Sequence, residues 1–229
     1  MRGWWQEITG LVLPVDCAGC GRPRTELCER CRCRLGGAAT ARRVRPSPEP
    51  SGLPPVWAAG TYEDEVRAVL LAHKERGALG LAAPLGAALA GAVLAAVLSG
   101  AGVRPVLLVP VPSARRTVAQ RGHDPTARIA RAAARELRRR GLPARTVPAL
   151  RQRRPVADQS GLTAARRLAN LAGAVAAAPG QAALLALAPV VLVDDLMTTG
   201  ASLTVSAQAV AVAGGQVAGA AVVAAPRDA

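Results

Sequence analysis

Two clusters in this chain have the residue types and spacings that chemistry needs. The first is Cys17-x2-Cys20 followed by Cys28-x2-Cys31. A CxxC turn aims two thiolates at one point, and two such turns build the tetrahedral all-sulfur site that zinc prefers. Gly21, Pro23 and Thr25 between the pairs suit a tight hairpin. Reduced thiols or a disulfide pair are the alternatives, and the spacing favours zinc. Four cysteines leave no open coordination position, so the ion is expected to be structural, not catalytic. About 20 residues cannot bury a core of their own, which is why such a module needs a metal staple. All five cysteines fall within 17 residues, and Cys33 is the spare.

The second cluster is Val190–Ser202, VVLVDDLMTTGAS. Four apolar residues lead into Asp194 and Asp195, then a short turn, then Thr198, Thr199, Gly200, Ala201 and Ser202. In an open parallel sheet, ligands bind beyond the carboxyl ends of the strands, and this segment reads as such an end. Adjacent carboxylates can hydrogen-bond the vicinal hydroxyls of a sugar. The hydroxyls of Thr198, Thr199 and Ser202, the close backbone approach at Gly200 and a following helix amino terminus suit a phosphate. Together they describe a ribose-phosphate cradle. A capping threonine alone would explain one hydroxyl, not the whole run. The GxxxxGK[ST] pattern of a Walker loop is absent.

The elements that must position these residues alternate along the chain. Strands are expected at Pro55–Tyr62, Pro105–Val111, Thr146–Leu150, Pro189–Val193 and Gln216–Ala224. Glu63–Arg76 has Val66, Val69, Leu70 and His73 on one helical stripe. An Ala-rich helix covers roughly residues 80–99. Asp124 is a good N-cap with Pro125 at the first helical position, Gly141 closes that helix, and Ile129, Ala133 and Leu137 face inward. Thr163 could cap a helix through Asn170, and Ser202–Ala213 forms the last helix. Continuous apolar strands alternating with helices imply an α/β fold with a parallel sheet covered on both faces. The expected organisation is a zinc knuckle over residues 1–36, a linker over 37–55 rich in Gly, Pro, Ser and Arg, and a main domain over 56–229.

Composition narrows the function classes. Half of the 229 residues are hydrophobic, enough for a real core and against disorder as the dominant state. Aromatics are 2% and Phe is absent, so the core is built from Ala, Val and Leu, and stacking platforms for single-stranded nucleic acid are disfavoured. The net charge of +14 favours polyanions. Arg supplies it almost alone, spread through loops and elements alike, so a general bias accounts for much of it. Arg128, Arg131, Arg135 and Arg138, with Arg139 and Arg140, form a stripe that could meet nucleic acid, although a solvated helical face explains it too. Lys74 is the only lysine, which suggests a site that needs a compact ammonium. His73 reads as packed; His123 is either exposed or near substrate. Trp4, Trp5 and Trp57 read as packing anchors. The uncharged runs 77–103 and 168–193 are rich in Ala and Gly and broken by Pro84 and Pro179, so they read as buried helices and not as membrane spans. The first residues lack a signal-peptide pattern, and a cytoplasmic protein is expected.

The cradle resembles the phosphoribosyl-pyrophosphate signature of type I phosphoribosyltransferases. The rest of the chain resembles one branch, the ComF/GntX family. That branch has a four-cysteine knuckle, here Cys17 to Cys31. It has a Tyr before a helix ending in Lys-x-x-Gly, here Tyr62 and Lys74–Gly77, and a Pro-x-Pro turn after a buried strand, here Pro110–Ser113. Gln159, Ser160, Leu162, Arg167 and Asn170 match its Gln-Thr-x-Leu with downstream Arg and Asn. Its Arg-Gly-Phe-Asn-Gln departs here to Arg121-Gly122-His123-Asp124-Pro125.

The resemblance implies a phosphoribosyltransferase-like fold that binds phosphoribosyl pyrophosphate with Mg²⁺ and transfers the phosphoribosyl group to a nitrogen acceptor. It implies that Asp194 and Asp195 hold the ribose hydroxyls, that Thr198–Ser202 hold the 5′-phosphate, and that pyrophosphate lies near Pro112 and Ser113. Arg115, Arg116 and Arg121 are close enough in sequence to neutralise it. The family's link to competence supports an alternative: a non-catalytic accessory protein of DNA uptake, using the cradle to sense a nucleotide, with DNA or the competence machinery as partner.

Overall fold

The computed structural model describes residues 16–100, 105–153 and 173–229. Trp4, Trp5, the expected helix Thr163–Asn170, and Gln159, Ser160, Leu162 and Arg167 lie outside the described residues.

The elements, in chain order, are α1 (Glu29–Arg34), β1 (Arg42–Val44), β2 (Val56–Thr61), α2 (Asp64–Glu75), a 3₁₀ turn (Leu79–Leu81), α3 (Ala82–Leu98), β3 (Val106–Pro110), α4 (Arg115–Arg121), α5 (Pro125–Arg139), β4 (Ala144–Thr146), β5 (Leu150–Gln152), β6 (Val175–Ala177), α6 (Ala182–Leu185), β7 (Val190–Leu196), α7 (Ala201–Val212) and β8 (Val217–Ala225). Six strands form one sheet in the order β1-β2-β8-β7-β3-β4. Every neighbouring pair is parallel except β1 with β2. The chain is therefore α/β with a mostly parallel mixed sheet.

Apolar residues run without a break in the central strands because both faces are covered. Val191 and Val193 of β7, Val106 and Leu108 of β3, and Ala221 and Val223 of β8 point to one core. Val190 and Leu192, Leu107 and Val109, and Ala220 and Val222 point to the other. This is the period-2 alternation of a pleated strand. The first core is closed by α2, α3 and α5, the second mainly by α7. Helix α5 starts as its sequence dictates: the Asp124 carboxylate accepts the Ala127 N–H at 2.9 Å and Pro125 follows. The stretch Leu79–Leu98 is long and apolar enough to cross a membrane, yet 67% of its most apolar window is buried inside the molecule.

Small residues set the helix spacing in a core without Phe. A Cβ at Gly86 would strike Ala132 and Ala133 of α5, and a Cβ at Gly91 would strike the backbone of Gly37 and Ala38. Gly91→Ala is thus expected to destabilise the fold by about 1–3 kcal/mol through overpacking, although alanine is the better helix former. A lower urea midpoint with an unchanged slope checks this.

Three expectations need correction. The run 168–193, read as a buried helix, holds among its described residues the strand β6, the short helix α6 and the start of β7. The stretch 37–55, expected to be a linker, supplies β1, which pairs Arg42 with Ala58 and Val44 with Val56. Val44 is the strand's single apolar residue, too few for an alternation to be read from sequence. The expected strand at Thr146–Leu150 is interrupted: Thr146 ends β4, Leu150 starts β5, and residues 147–149 between them form no strand. Pro148 sits there and has no N–H to give to a ladder.

Candidate functional site

The four knuckle cysteines meet as their spacing predicts. The Sγ atoms of Cys17, Cys20, Cys28 and Cys31 all lie within 4.8 Å of one another, close enough to bind a metal such as zinc. Cys17 and Cys20 stand in a turn where Gly21 N–H donates to Cys17 O at 2.8 Å; Cys28 precedes α1 and Cys31 lies within it. The Cys28 N–H donates to Cys17 Sγ at 3.3 Å. Burial disfavours the thiolate at Cys17, but the backbone N–H groups of Cys28, Cys20 and Gly19 outweigh it and hold this thiol at about 6. A Cβ at Gly19 would lie 2.8 Å from Cys31 Sγ, so this turn closes over the sulfurs only as glycine. The donor set therefore fits zinc. Cys33 is exposed and outside the cluster, its thiol 3.8 Å from the Glu29 carboxylate.

The second site forms at the carboxyl ends of the parallel strands. β7 ends in Asp194 and Asp195, and Asp195 is buried. The Lys74 ammonium reaches across from the last turn of α2 and donates to Asp195 Oδ2 at 2.7 Å. Burial alone would lower the Lys74 pKa, but the Asp195 carboxylate outweighs it and the ammonium is held above its usual range. Burial, and then the neighbouring Asp195 charge, push the Asp194 carboxyl well above the usual carboxylate range. Asp194 Oδ1 also accepts the Asp195 N–H at 2.8 Å.

Beyond β7 the chain turns through Thr198, Thr199 and Gly200 into α7. Gly200 has φ +74° and no side chain caps the helix, so the first N–H groups of α7 keep their positive end open. A Cβ on Gly200 would also press on Leu53 at 3.0 Å. Asp194, Met197, Thr198, Thr199, Gly200, Ala201 and Ser202 help to line a recess of about 40 Å³.

Larger hollows lie on either side. Pro112 and Ser113, just after β3, line a cavity of about 400 Å³ with Asp124, Arg151 and Gln152. Pro46, Ser47 and Pro48 line another of about 150 Å³ with Thr198, Thr199 and Asp228. The sequence reading missed this contribution from 37–55, because Pro-rich composition carries no signal of what it covers.

The arginines are placed unevenly. α4 carries Arg115, Arg116 and Arg121. Arg116 is exposed. Arg121 is bound to Glu75 by two hydrogen bonds, of 3.0 and 2.5 Å. On α5, Arg131 and Arg135 are exposed, Arg138 donates to Ala144 O, and Arg139 and Arg140 pair with Glu136. His73 is buried, as its stripe predicts, and burial lowers its pKa.

No protein-family model matches the chain, and no curated protein is significantly similar to it.

Proposed function

We propose that the protein binds phosphoribosyl pyrophosphate and transfers its phosphoribosyl group to a nitrogen nucleophile, on a type I phosphoribosyltransferase-like scaffold of the ComF/GntX branch. One observation carries the reading. At the end of β7, Asp194 lines the recess at the uncapped start of α7, and the adjacent Asp195 is paired with Lys74. Carboxylates suited to vicinal hydroxyls and backbone N–H groups suited to a phosphate then follow one another along a single strand–turn–helix.

In this reading the nucleophile's nitrogen forms a bond to the anomeric carbon as the bond to the pyrophosphate oxygen breaks. The nitrogen then gives up its proton. As the bond to pyrophosphate lengthens ahead of full bonding to nitrogen, positive charge develops on the ribose ring, and negative charge from Asp194 and Asp195 favours it. Asp195 is engaged by Lys74 until a ribose hydroxyl takes its place, which leaves the ammonium free for a phosphate oxygen. Pro112 and Ser113 face the pyrophosphate side, with Arg116 nearby. Mg²⁺ enters with the pyrophosphate, and no residue of this chain is assigned to it. In the knuckle Cys17, Cys20, Cys28 and Cys31 hold zinc, whose role is to fix the fold.

The competing reading, an accessory protein of nucleic-acid handling in DNA uptake, draws on the exposed Arg131 and Arg135. It keeps the cradle and drops the acceptor.

Calorimetric titration of phosphoribosyl pyrophosphate, with and without Mg²⁺, tests the reading. Micromolar binding that requires Mg²⁺ is expected, with a loss of at least about 100-fold in Asp194→Asn/Asp195→Asn, the scale on which removing several charged contacts acts. No binding by the wild type would reduce the signature to scaffold.

A further inference from the structure

His123 stands where two helices end. Its Nε2 lies 3.2 Å from the backbone oxygen of His73, in the last turn of α2. Its Nδ1 lies 3.1 Å from the backbone oxygen of Arg121, the last residue of α4. A carbonyl oxygen can only accept, so both ring nitrogens must donate, and a neutral imidazole has one N–H. The imidazolium alone makes both bonds. Helix carboxyl ends leave carbonyls unpaired and carry partial negative charge, so a cation between two of them is favoured.

The neighbouring ring is different. His73 Nδ1 donates to Ala78 O at 3.1 Å, while its Nε2 is buried with no partner. The two rings meet edge to face, with centroids 5.7 Å apart. Burial favours a neutral His73. The charged and titratable groups on the elements that meet here are His73, Lys74 and Glu75 on α2, Arg121 on α4, and Asp124 and Arg128 at the start of α5.

We infer that His123 is a positioning residue: a protonated clamp that ties the α4–α5 turn to the end of α2, and so fixes Lys74 against Asp195 and Arg121 beside Glu75. Its link to ligand rests on the reading given under Proposed function. The clamp is complete when His123 is protonated. Removing one ring proton removes one of the two bonds and frees the turn from the helix.

Long-range nitrogen–proton correlation spectra across a pH series test this on the wild-type chain. There are only two histidines, so His123→Gln assigns both. At the acid end both His123 nitrogens should carry protons and His73 only Nδ1. As His123 loses its proton, the amides of Gly122 and of residues 74–78 should shift with the same midpoint, and these shifts should be absent from His123→Gln. Amides that ignore the His123 titration, or that follow the same midpoint in His123→Gln, overturn the clamp.

Affinity for phosphoribosyl pyrophosphate should fall roughly 5-fold across that titration in the wild type and stay nearly flat in His123→Gln. A flat profile in the wild type while the amides move overturns the positioning role. If the compound binds to neither protein, the functional reading fails, and the spectra still decide the clamp.

Discussion

A chelator that strips zinc from the four-cysteine site is expected to lower the thermal midpoint of the whole chain, not of the amino-terminal residues alone. The reason is packing. Cys17, Leu27, Cys28, Cys31 and Leu35 belong to the same buried cluster as Val69, Leu85, Leu89 and Val93. Leu35 is 1% exposed. The knuckle also meets α2 through the Arg30–Glu65 ion pair, although an exposed pair of this kind adds little. Structural zinc supplies an apparent binding free energy of roughly 10–16 kcal/mol in small modules. Domains of this size are stable by only about 5–15 kcal/mol. Losing the ion thus removes a term as large as the entire net stability. Cys28→Ser should act like the chelator and Cys33→Ser should not, because Cys33 lies outside the cluster. Metal analysis should find one zinc per chain. A full-length chain that holds no metal, or a single transition unmoved by chelation, would remove the staple.

The second large effect is a trade between stability and binding at Asp194. Its carboxyl is held above the usual range by burial and by the Asp195 charge, so the folded state holds this proton more tightly than the unfolded state does. For a group whose folded pKa is raised, stability is greatest below the unfolded pKa, near ~3.9, and falls as pH rises toward the folded value. Asp194→Asn removes that loss while keeping the oxygen that accepts the Asp195 N–H. At neutral pH the variant should be more stable by about 0.5–2 kcal/mol, the usual gain from relaxing a functional site. The gain should shrink as the medium is acidified through the carboxylate range. Binding of phosphoribosyl pyrophosphate should be lost in the same variant. Denaturation curves at several pH values check the first half, and a variant less stable than wild type at neutral pH would refute it. Lys74→Met should act in the opposite direction, since it leaves Asp195 buried without its counter-charge.

Much of the frame was legible because the decisive signals are local. β7, β8 and β3 announce themselves as unbroken apolar runs, Asp124-Pro125 announces the start of α5, and the CxxC pairs announce their convergence. What was not legible depends on partners distant in sequence. β1 is a strand only because β2 offers it an edge. Lys74 and Asp195 are 121 residues apart, and the scarcity of lysine marked a site without saying what the ammonium would touch. Arg121 was expected to be available to an anion, yet Glu75 holds it, a pairing that the spacing of neither residue suggests. His123 follows the same rule, because its ring is defined by two helix ends that converge only in space.

The two ends of the sheet have a further consequence for assembly. β1 is three residues long and carries Arg42, which bonds Pro226 and Ala229, and Arg43, which lies over Trp57. At the opposite end, β4 is equally short and bears the exposed Arg145. Exposed strand edges recruit other chains when they are long, flat and uncharged. Here, among the described residues, each margin is brief and cationic, so two copies that approach edge to edge meet like charges before any ladder can form. Edge-to-edge pairing of two copies through this six-stranded sheet is thereby disfavoured. The β-rich aggregation to which a valine- and alanine-rich sheet would be prone is opposed at both of its borders.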